Sequence, residues 1–238
     1  MRAGLAELPD IVVAAEAVAL TRPEALPRVA RVLADRGLYR LRHEEFDVRA
    51  DPEGPALTRI DRGAIPSFGI QAIGVHVNGL VRRPGGLHLW VARRAADKQL
   101  DPGKLDHIVA GGVPAGLGVN ETLVKEAAEE AAIPADLARR AERVAVIGYA
   151  MERPEGLRRD WVYCHDLVLP DDFVPRPADG EVEAFELWPI ARVVDAVRDT
   201  DDFKFNVNLV LIDLFLRQHL IAEPEASCLR SALSSGVR

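Results

Sequence analysis

The chain has 238 residues, of which 48% are hydrophobic and 28% charged, a balance that supports a sizeable core and excludes wholesale disorder. Its 37 acidic residues outnumber 30 basic ones for a net charge of −7, which disfavours a domain that wraps a nucleic-acid backbone. Two distant cysteines, Cys164 and Cys228, exclude a disulfide framework or a Cys-based zinc site and make a reducing cytoplasm the expected setting.

Residues 1–66 read as a small N-terminal α/β unit. The run RPEALPRVARVLADRG places Leu26, Val29, Val32 and Leu33 at helical spacing and stops at Gly37. The extended pieces LYRLRHEEFDVRA and PALTRI follow, separated by the turn signal DPEG. A boundary is expected near Gly63–Ser67. From Phe68 the texture changes: FGIQAIGVHVNGLV and LHLWVARR, joined by RRPGG, read as a hairpin. A loop, ADKQLDPGKLD, leads to the short strand HIVAGG, and ETLVKEAAEEAA reads as a helix ending before Pro134. RVAVIGYAM, WVYCHDLVL and EVEAFELWP read as strands, and IARVVDAVRD and FKFNVNLVLIDLFLRQHLI as amphipathic helices. The pattern predicts an α/β domain over residues 67–222, a mixed sheet sandwiched between helices. Residues 223–238, rich in Ser and Ala, read as a poorly ordered tail. No stretch reaches the roughly 20 apolar residues of a bilayer span. LVLIDLFL is short and carries Asp213, and Glu7, Asp10 and Glu16 interrupt any apolar leader, so neither a membrane partner nor a signal peptide is expected.

The chemistry concentrates in AGGVPAGLGVNETLVKEAAEEAAIP, residues 110–134. At ~100° per residue, Glu126, Glu129 and Glu130 share an arc of about 100°, with Val124, Ala127, Ala128 and Ala131 opposite. Three neighbouring carboxylates repel one another, and partial burial would force one to keep a proton. A hard divalent cation removes the conflict, and Mg²⁺, with Mn²⁺ as a substitute, takes oxygen ligands and bridges them to substrate phosphates. Gly111 and Gly112 offer backbone that an anion can approach closely. Glu-Glu pairs are common on solvated helices and a Gly-Gly before a helix says little alone. The order strand, Gly-Gly, loop, helix with E-x-x-E-E, then further strands is far more specific.

This segment resembles the Nudix box, G-x5-E-x7-R-E-U-x-E-E-x-G-U with U a bulky aliphatic. Gly111 matches the first glycine, Glu126, Glu129 and Glu130 the acidic core, and Ile133 the last aliphatic. Four positions depart: Leu117 replaces the first Glu, Lys125 the Arg, Ala127 an aliphatic and Ala132 the second Gly. In the family the first Glu and the Arg brace the turn from loop to helix, so the departures touch the bracing and not the metal face. The resemblance implies a Nudix-type α/β/α sandwich and metal-dependent hydrolysis of a small-molecule diphosphate, with Glu126, Glu129 and Glu130 as metal ligands. It also implies that one of these three, or a further carboxylate in the loop that carries Glu181 and Glu183, takes the proton of the attacking water, the loop residue serving as base or as an additional ligand. Gly180 makes Glu181 the choice. A narrower likeness, to Nudix proteins related to thiamine pyrophosphokinase, rests on the extra N-terminal unit, the K-x-x-x-PG-x-LD run and the EEA in the box. It implies thiamine diphosphate and its damaged analogues as substrates.

Arg93 and Arg94 are the expected contacts to diphosphate charge that the metal leaves unneutralised, whereas Lys98 and Lys104 read as surface charges. Trp161, beside Arg158 and Arg159, reads as a core residue ahead of a stacking platform. His107 reads as a hydrogen-bonding residue behind the site, and Cys164 as a buried, inert thiol. Two other readings stand beside the hydrolase. One is an isopentenyl-diphosphate-isomerase-like enzyme, which needs an active-site cysteine, and Cys164 is the only one in the core. The other is a module that binds a diphosphate without cleaving it. Oligomeric state is left open, a homodimer included.

Overall fold

The computed structural model describes residues 5, 7–16 and 18–236. By contacts it divides into two compact units, one of residues 1–73, 113–117 and 149–161, the other of 74–112, 118–148 and 162–238. The first unit therefore takes in more chain than the 1–66 expected from sequence texture, and it is discontinuous.

Within the first unit, β1 (Ile11–Val13) and β2 (Val18–Leu20) form a two-stranded ribbon. Strands of three residues carry no periodic signal, which is why the sequence does not announce them. Helix α1 (Leu26–Asp35) buries Leu26, Val29, Ala30 and Leu33, the face its spacing predicts, and Gly37 follows with φ +78°. Strands β3 (Glu45–Arg49) and β4 (Ala56–Asp61) pair antiparallel around the DPEG turn, and the short helix α2 (Ile65–Phe68) follows. Leu26, Ala30, Phe46, Ile60, Ala64 and Ile65 make one core cluster, and Leu5, Val29 and Leu33 a second.

The second unit is built on a seven-stranded sheet. Its strands are β5 (Gln71–Arg83), β6 (Gly86–Arg94), β7 (Leu105–Asp106), β8 (Val109–Gly112), β9 (Glu142–Arg153), β10 (Gly156–Val168) and β11 (Val182–Pro189). The order is β11-β6-β5-β10-β9, with β7 on β6 and β8 on β5. Residues 149–161 of β9 and β10 count with the first unit. The β5–β6 hairpin closes as its turn signal predicts, Arg83 opposite Gly86. The helices are α3 (Val119–Ala131), α4 (Ala135–Ala138), α5 (Ile190–Asp199), α6 (Val207–Arg217) and α7 (Glu225–Ser234).

Successive strand residues point to opposite faces, and here both faces are covered. Val81, Trp90 and Val109 pack with Leu123, Ala127 and Ala131 of α3, whereas Leu80, Leu89 and Val91 pack with Val193 of α5 and Val207, Leu211 and Leu214 of α6. This is the α/β class with a mixed sheet and flanking helices that the sequence predicts. Two details differ. Helix α6 begins at Val207 because Phe203 bridges to Leu105 instead of continuing the helix. The segment expected to be a poorly ordered tail contains α7, where Glu223 accepts the Ser227 N–H at 3.0 Å and pairs with Arg230. Among the described residues no helix is long and apolar enough to cross a membrane.

Candidate active site

Helix α3 begins at Gly118, whose N–H donates to Glu121 Oε2 at 2.9 Å while its carbonyl accepts from Thr122. This closes the first turn as a capping box does, without a side chain at the cap. The helix turns Glu126 and Glu130 inward. Its buried residues are Thr122, Leu123, Ala127, Glu130 and Ala131, while Ala128 is exposed. The buried arc is thus centred on Glu130, not on the alanine side that residue types alone suggest.

Three grades of exposure result. Glu130 is 7% exposed, the Glu126 side chain 15% and that of Glu129 48%. Glu130 accepts the Ala110 N–H on Oε2 at 2.8 Å. Burial pushes its carboxyl well above the ordinary value against that hydrogen bond, and the charges of Asp106, Glu126 and Glu181 add to the push. Glu126 lies against the glycine pair: a Cβ on Gly111 would stand 2.7 Å from its Cδ and Cγ. Gly111 is glycine because the carboxylate arm occupies the space a side chain would need. Burial raises the Glu126 carboxyl too, and Lys125 opposes the rise. Lys125 Nζ bridges Glu129 at 2.6 Å and Glu126 at 3.1 Å, and its hydrogen bond to Glu129, then that to Glu126, raise it to about 12. Ala132, where the box has Gly, adopts φ +53° at the helix end, and Ile133 is buried in the core.

Glu181 precedes β11 and is half exposed. It pairs with Lys98, and its charge raises both Glu126 and Glu130. The two arginines differ. Arg94 donates to Asp106 Oδ2 at 2.9 Å, to the Asp101 carbonyl at 3.1 Å and to the Leu100 carbonyl at 2.7 Å. All three guanidinium nitrogens are engaged, so it braces the 100–106 loop and has no fork to offer a diphosphate. Arg93 is half-buried and donates to the Gly103 carbonyl at 3.1 Å. Lys104 is spent on the Asp201 carbonyl.

Behind the glycine pair lies a buried polar cluster that sequence reading did not assemble. Asp106 accepts from Arg94 and from Lys204 Nζ at 3.3 Å. Burial pushes the Asp106 carboxyl up, but Lys204 above all, with Arg94 helping, holds it far below the usual carboxylate range. His107 Nδ1 lies 2.8 Å from His76 Nδ1, the hydrogen-bonding role expected of it. Burial lowers His107 to about 4 and His76 well below its ordinary value, so both rings are neutral. His76, Asp106 and His107 offer ligand atoms within 4.8 Å of one another, yet a dication there would face Arg94 and Lys204. The α3 carboxylates, with one lysine among them, suit a dication better. Cys164 is buried, donates to the Val162 carbonyl at 3.4 Å, and burial, then Asp213, raises its thiol far above the ordinary value. It is not a reactive thiolate. Trp161 is half-buried, and Arg158 is drawn to Asp160 at 3.3 Å.

A family model, the NUDIX domain, matches residues 72–208. The chain is 44% identical over 206 residues to Nudix hydrolase 24, chloroplastic, of Arabidopsis thaliana, covering 86% of this chain and 56% of that protein. It is 42% identical over 207 residues to Nudix hydrolase 20, chloroplastic, of the same plant, covering 87% and 55%. The chain therefore spans just over half the length of these relatives. Among solved structures, DR0079 from Deinococcus radiodurans superimposes with a TM-score of 0.50 at 18% identity, covering 71% of this chain and 97% of that one, a likeness of fold. The cytoplasmic setting expected from the cysteines is overturned by the relatives, both named chloroplastic. Thiol content reports a reducing environment, not which reducing compartment holds the protein. With the family model covering more than half of its length and the box helix set against the glycine pair, the chain belongs to the Nudix domain family.

Proposed function

We propose that this chain is a divalent-metal-dependent pyrophosphohydrolase that cleaves the diphosphate of an organic diphosphate by attack of water at phosphorus. The observation that carries the reading is the cluster of Glu126 against Gly111, Glu130 on the Ala110 N–H and the half-exposed Glu129 beside them, with a single lysine to balance the three. Glu126 and Glu130, raised by burial and by neighbouring negative charge, fit a dication, which would offset both penalties. Glu126, Glu129 and Glu130 are the residues that would hold Mg²⁺ or Mn²⁺. When bound, such an ion neutralises charge developing on phosphoryl oxygens and lowers the pKa of water. The chain's own groups do the rest. Gly111 makes room for the Glu126 arm, the backbone at Gly112 lets the diphosphate approach closely, and Arg93 supplies positive charge to it. Glu181, whose charge is felt at Glu126 and Glu130, accepts the proton of the attacking water. Water adds to phosphorus, the bridging P–O bond breaks, and two phosphorylated products leave, or a monophosphate ester and inorganic phosphate when the diphosphate is terminal.

Thiamine diphosphate and its oxidised analogues are the first substrates to test, because the N-terminal unit, the PG-x-LD run and the EEA box resemble proteins associated with them. The test is chromatographic detection of the phosphorylated products, and of inorganic phosphate where the diphosphate is terminal, from thiamine diphosphate, its oxidised forms, ADP-ribose, NADH and nucleoside triphosphates, with Mg²⁺ or Mn²⁺. Turnover of one of them supports the reading. Calorimetric binding with no product from any would favour the module that binds without cleaving. The buried, protonated Cys164 argues against the isomerase-like reading.

A further inference from the structure

We propose that strand β3 of the first unit takes over the bracing of the box loop, with Asp47 as the positioning residue for a reaction whose first box glutamate is replaced by Leu117. Residues 113–117, the loop that leads into α3, belong with the first unit by contacts. They form a tight turn: the Leu117 N–H donates to the Pro114 carbonyl at 3.2 Å, and Gly116 sits at φ +82°. A turn this tight points its N–H groups outward, where they need acceptors. Val113 donates to the Ile73 carbonyl at 2.8 Å and Ala115 to the Glu45 carbonyl at 2.7 Å. Gly116 N–H donates to Asp47 Oδ2 at 3.3 Å. Two of these three acceptors lie on β3. Leu117, 36% exposed, has no acceptor to offer.

Asp47 is built for the task. Its side chain is 11% exposed. Arg49 donates to Oδ2 at 2.8 Å, and Arg59, its cross-strand partner on β4, lies 3.6 Å from Oδ1. Arg49 is itself tied to the Gly54 carbonyl in the hairpin turn. The same Arg59 runs beside the loop: a Cβ on Gly116 would lie 3.5 Å from its guanidinium. A carboxylate clamped by two arginines is a fixed acceptor, and a charged acceptor strengthens the hydrogen bond it takes. The local departure at Leu117 is thus met by a carboxylate 70 positions earlier. This inference rests on the hydrolase reading only for its kinetic arm.

The test compares wild type, Asp47→Ala, and Asp47→Ala with Leu117→Glu, all in the full chain. Amide hydrogen exchange in residues 113–118 of Asp47→Ala is expected to rise about tenfold, the equivalent of one lost hydrogen bond. On the best substrate of the panel, kcat is expected to fall about tenfold or more with KM little changed, and Leu117→Glu is expected to recover most of both losses. A residue that served stability alone would not be rescued by an acid placed at position 117. Should Asp47→Ala not fold, Asp47→Leu, of similar size and with no acceptor, is read the same way. Unchanged exchange in residues 113–118, or no recovery with Leu117→Glu, overturns the proposal. A panel with no turnover would sink the hydrolase reading, while the exchange measurement would still decide the brace.

Discussion

The Asp106 carboxylate and the Lys204 ammonium, 98 positions apart, meet at 3.3 Å in the interior of the second unit. Both are buried. Lys204 reaches Asp106 from the segment before α6, and the Lys204 N–H also donates to the Leu105 carbonyl at 2.9 Å. One charge pair thereby ties the C-terminal helix region to the strand ends that lead into the glycine pair. Removing one partner of a buried pair strands the other, so Lys204→Met is expected to cost about 3 kcal/mol of stability. Urea unfolding measures this directly, and a midpoint shift worth less than about 1 kcal/mol would show that Arg94 alone satisfies Asp106.

The histidine pair beside it predicts a pH dependence. His107 is held to about 4 in the fold, whereas in the unfolded chain it takes a proton near 6.5. Between those values the unfolded chain binds more protons, so stability falls as pH drops through that window. His107 alone accounts for about 3 kcal/mol across it, and His76 acts in the same direction. Asp106, whose folded value is depressed, contributes stability that is lost only below about pH 4. Burial raises Glu130 and Glu126, which act in the opposite direction, so the test is a difference: from pH 7 to pH 4, wild type is expected to lose more stability by urea midpoint than His107→Gln. Equal changes in the two proteins would contradict neutral burial of the pair.

Glu129 tests the proposed metal face with little risk to the fold, since its side chain is about half exposed. Glu129→Gln is expected to lose about 100-fold or more in kcat, the loss of several kcal/mol of transition-state stabilisation, with the melting temperature almost unchanged. Near wild-type turnover in saturating Mg²⁺ would remove Glu129 from the site.

Gly111→Ala places a methyl group where the Glu126 arm now lies, 2.7 Å from its Cδ. The arm must swing away, and the expected result is a weakened response of thermal stability to added Mg²⁺ or Mn²⁺, together with reduced kcat. A metal-induced shift equal to that of wild type would mean that Glu126 is not needed where it stands.

Ala132 sits at φ +53°, a conformation that costs an L residue roughly 1–2 kcal/mol and glycine almost nothing. Restoring the box glycine with Ala132→Gly is expected to raise stability by about 1 kcal/mol without altering activity. A lower urea midpoint would contradict the strain argument.

The elements were legible where the signal was local. The E-x-x-E-E run and the alanines around it announce α3, the RRPGG turn announces the β5–β6 hairpin, and the four box departures stand out against a fixed spacing. The buried side of α3 was not legible, because residue type marks Glu130 as polar. It is inside because the Ala110 N–H supplies a partner there. Arg94 looked as available as Arg93, since neighbouring arginines on a strand differ only in which carbonyls and carboxylates surround them.

What the sequence determined alone is therefore the class of the fold and the helix that gathers the acids. Only the tertiary structure decided which carboxylate is buried, which arginine is spent, that Asp106 is held by Lys204, and that Asp47 takes a loop amide beside Leu117. The physical reason is separation. Helix and turn preferences act over a few residues, whereas the partners that bury a charge or satisfy an amide come from strands and helices far along the chain.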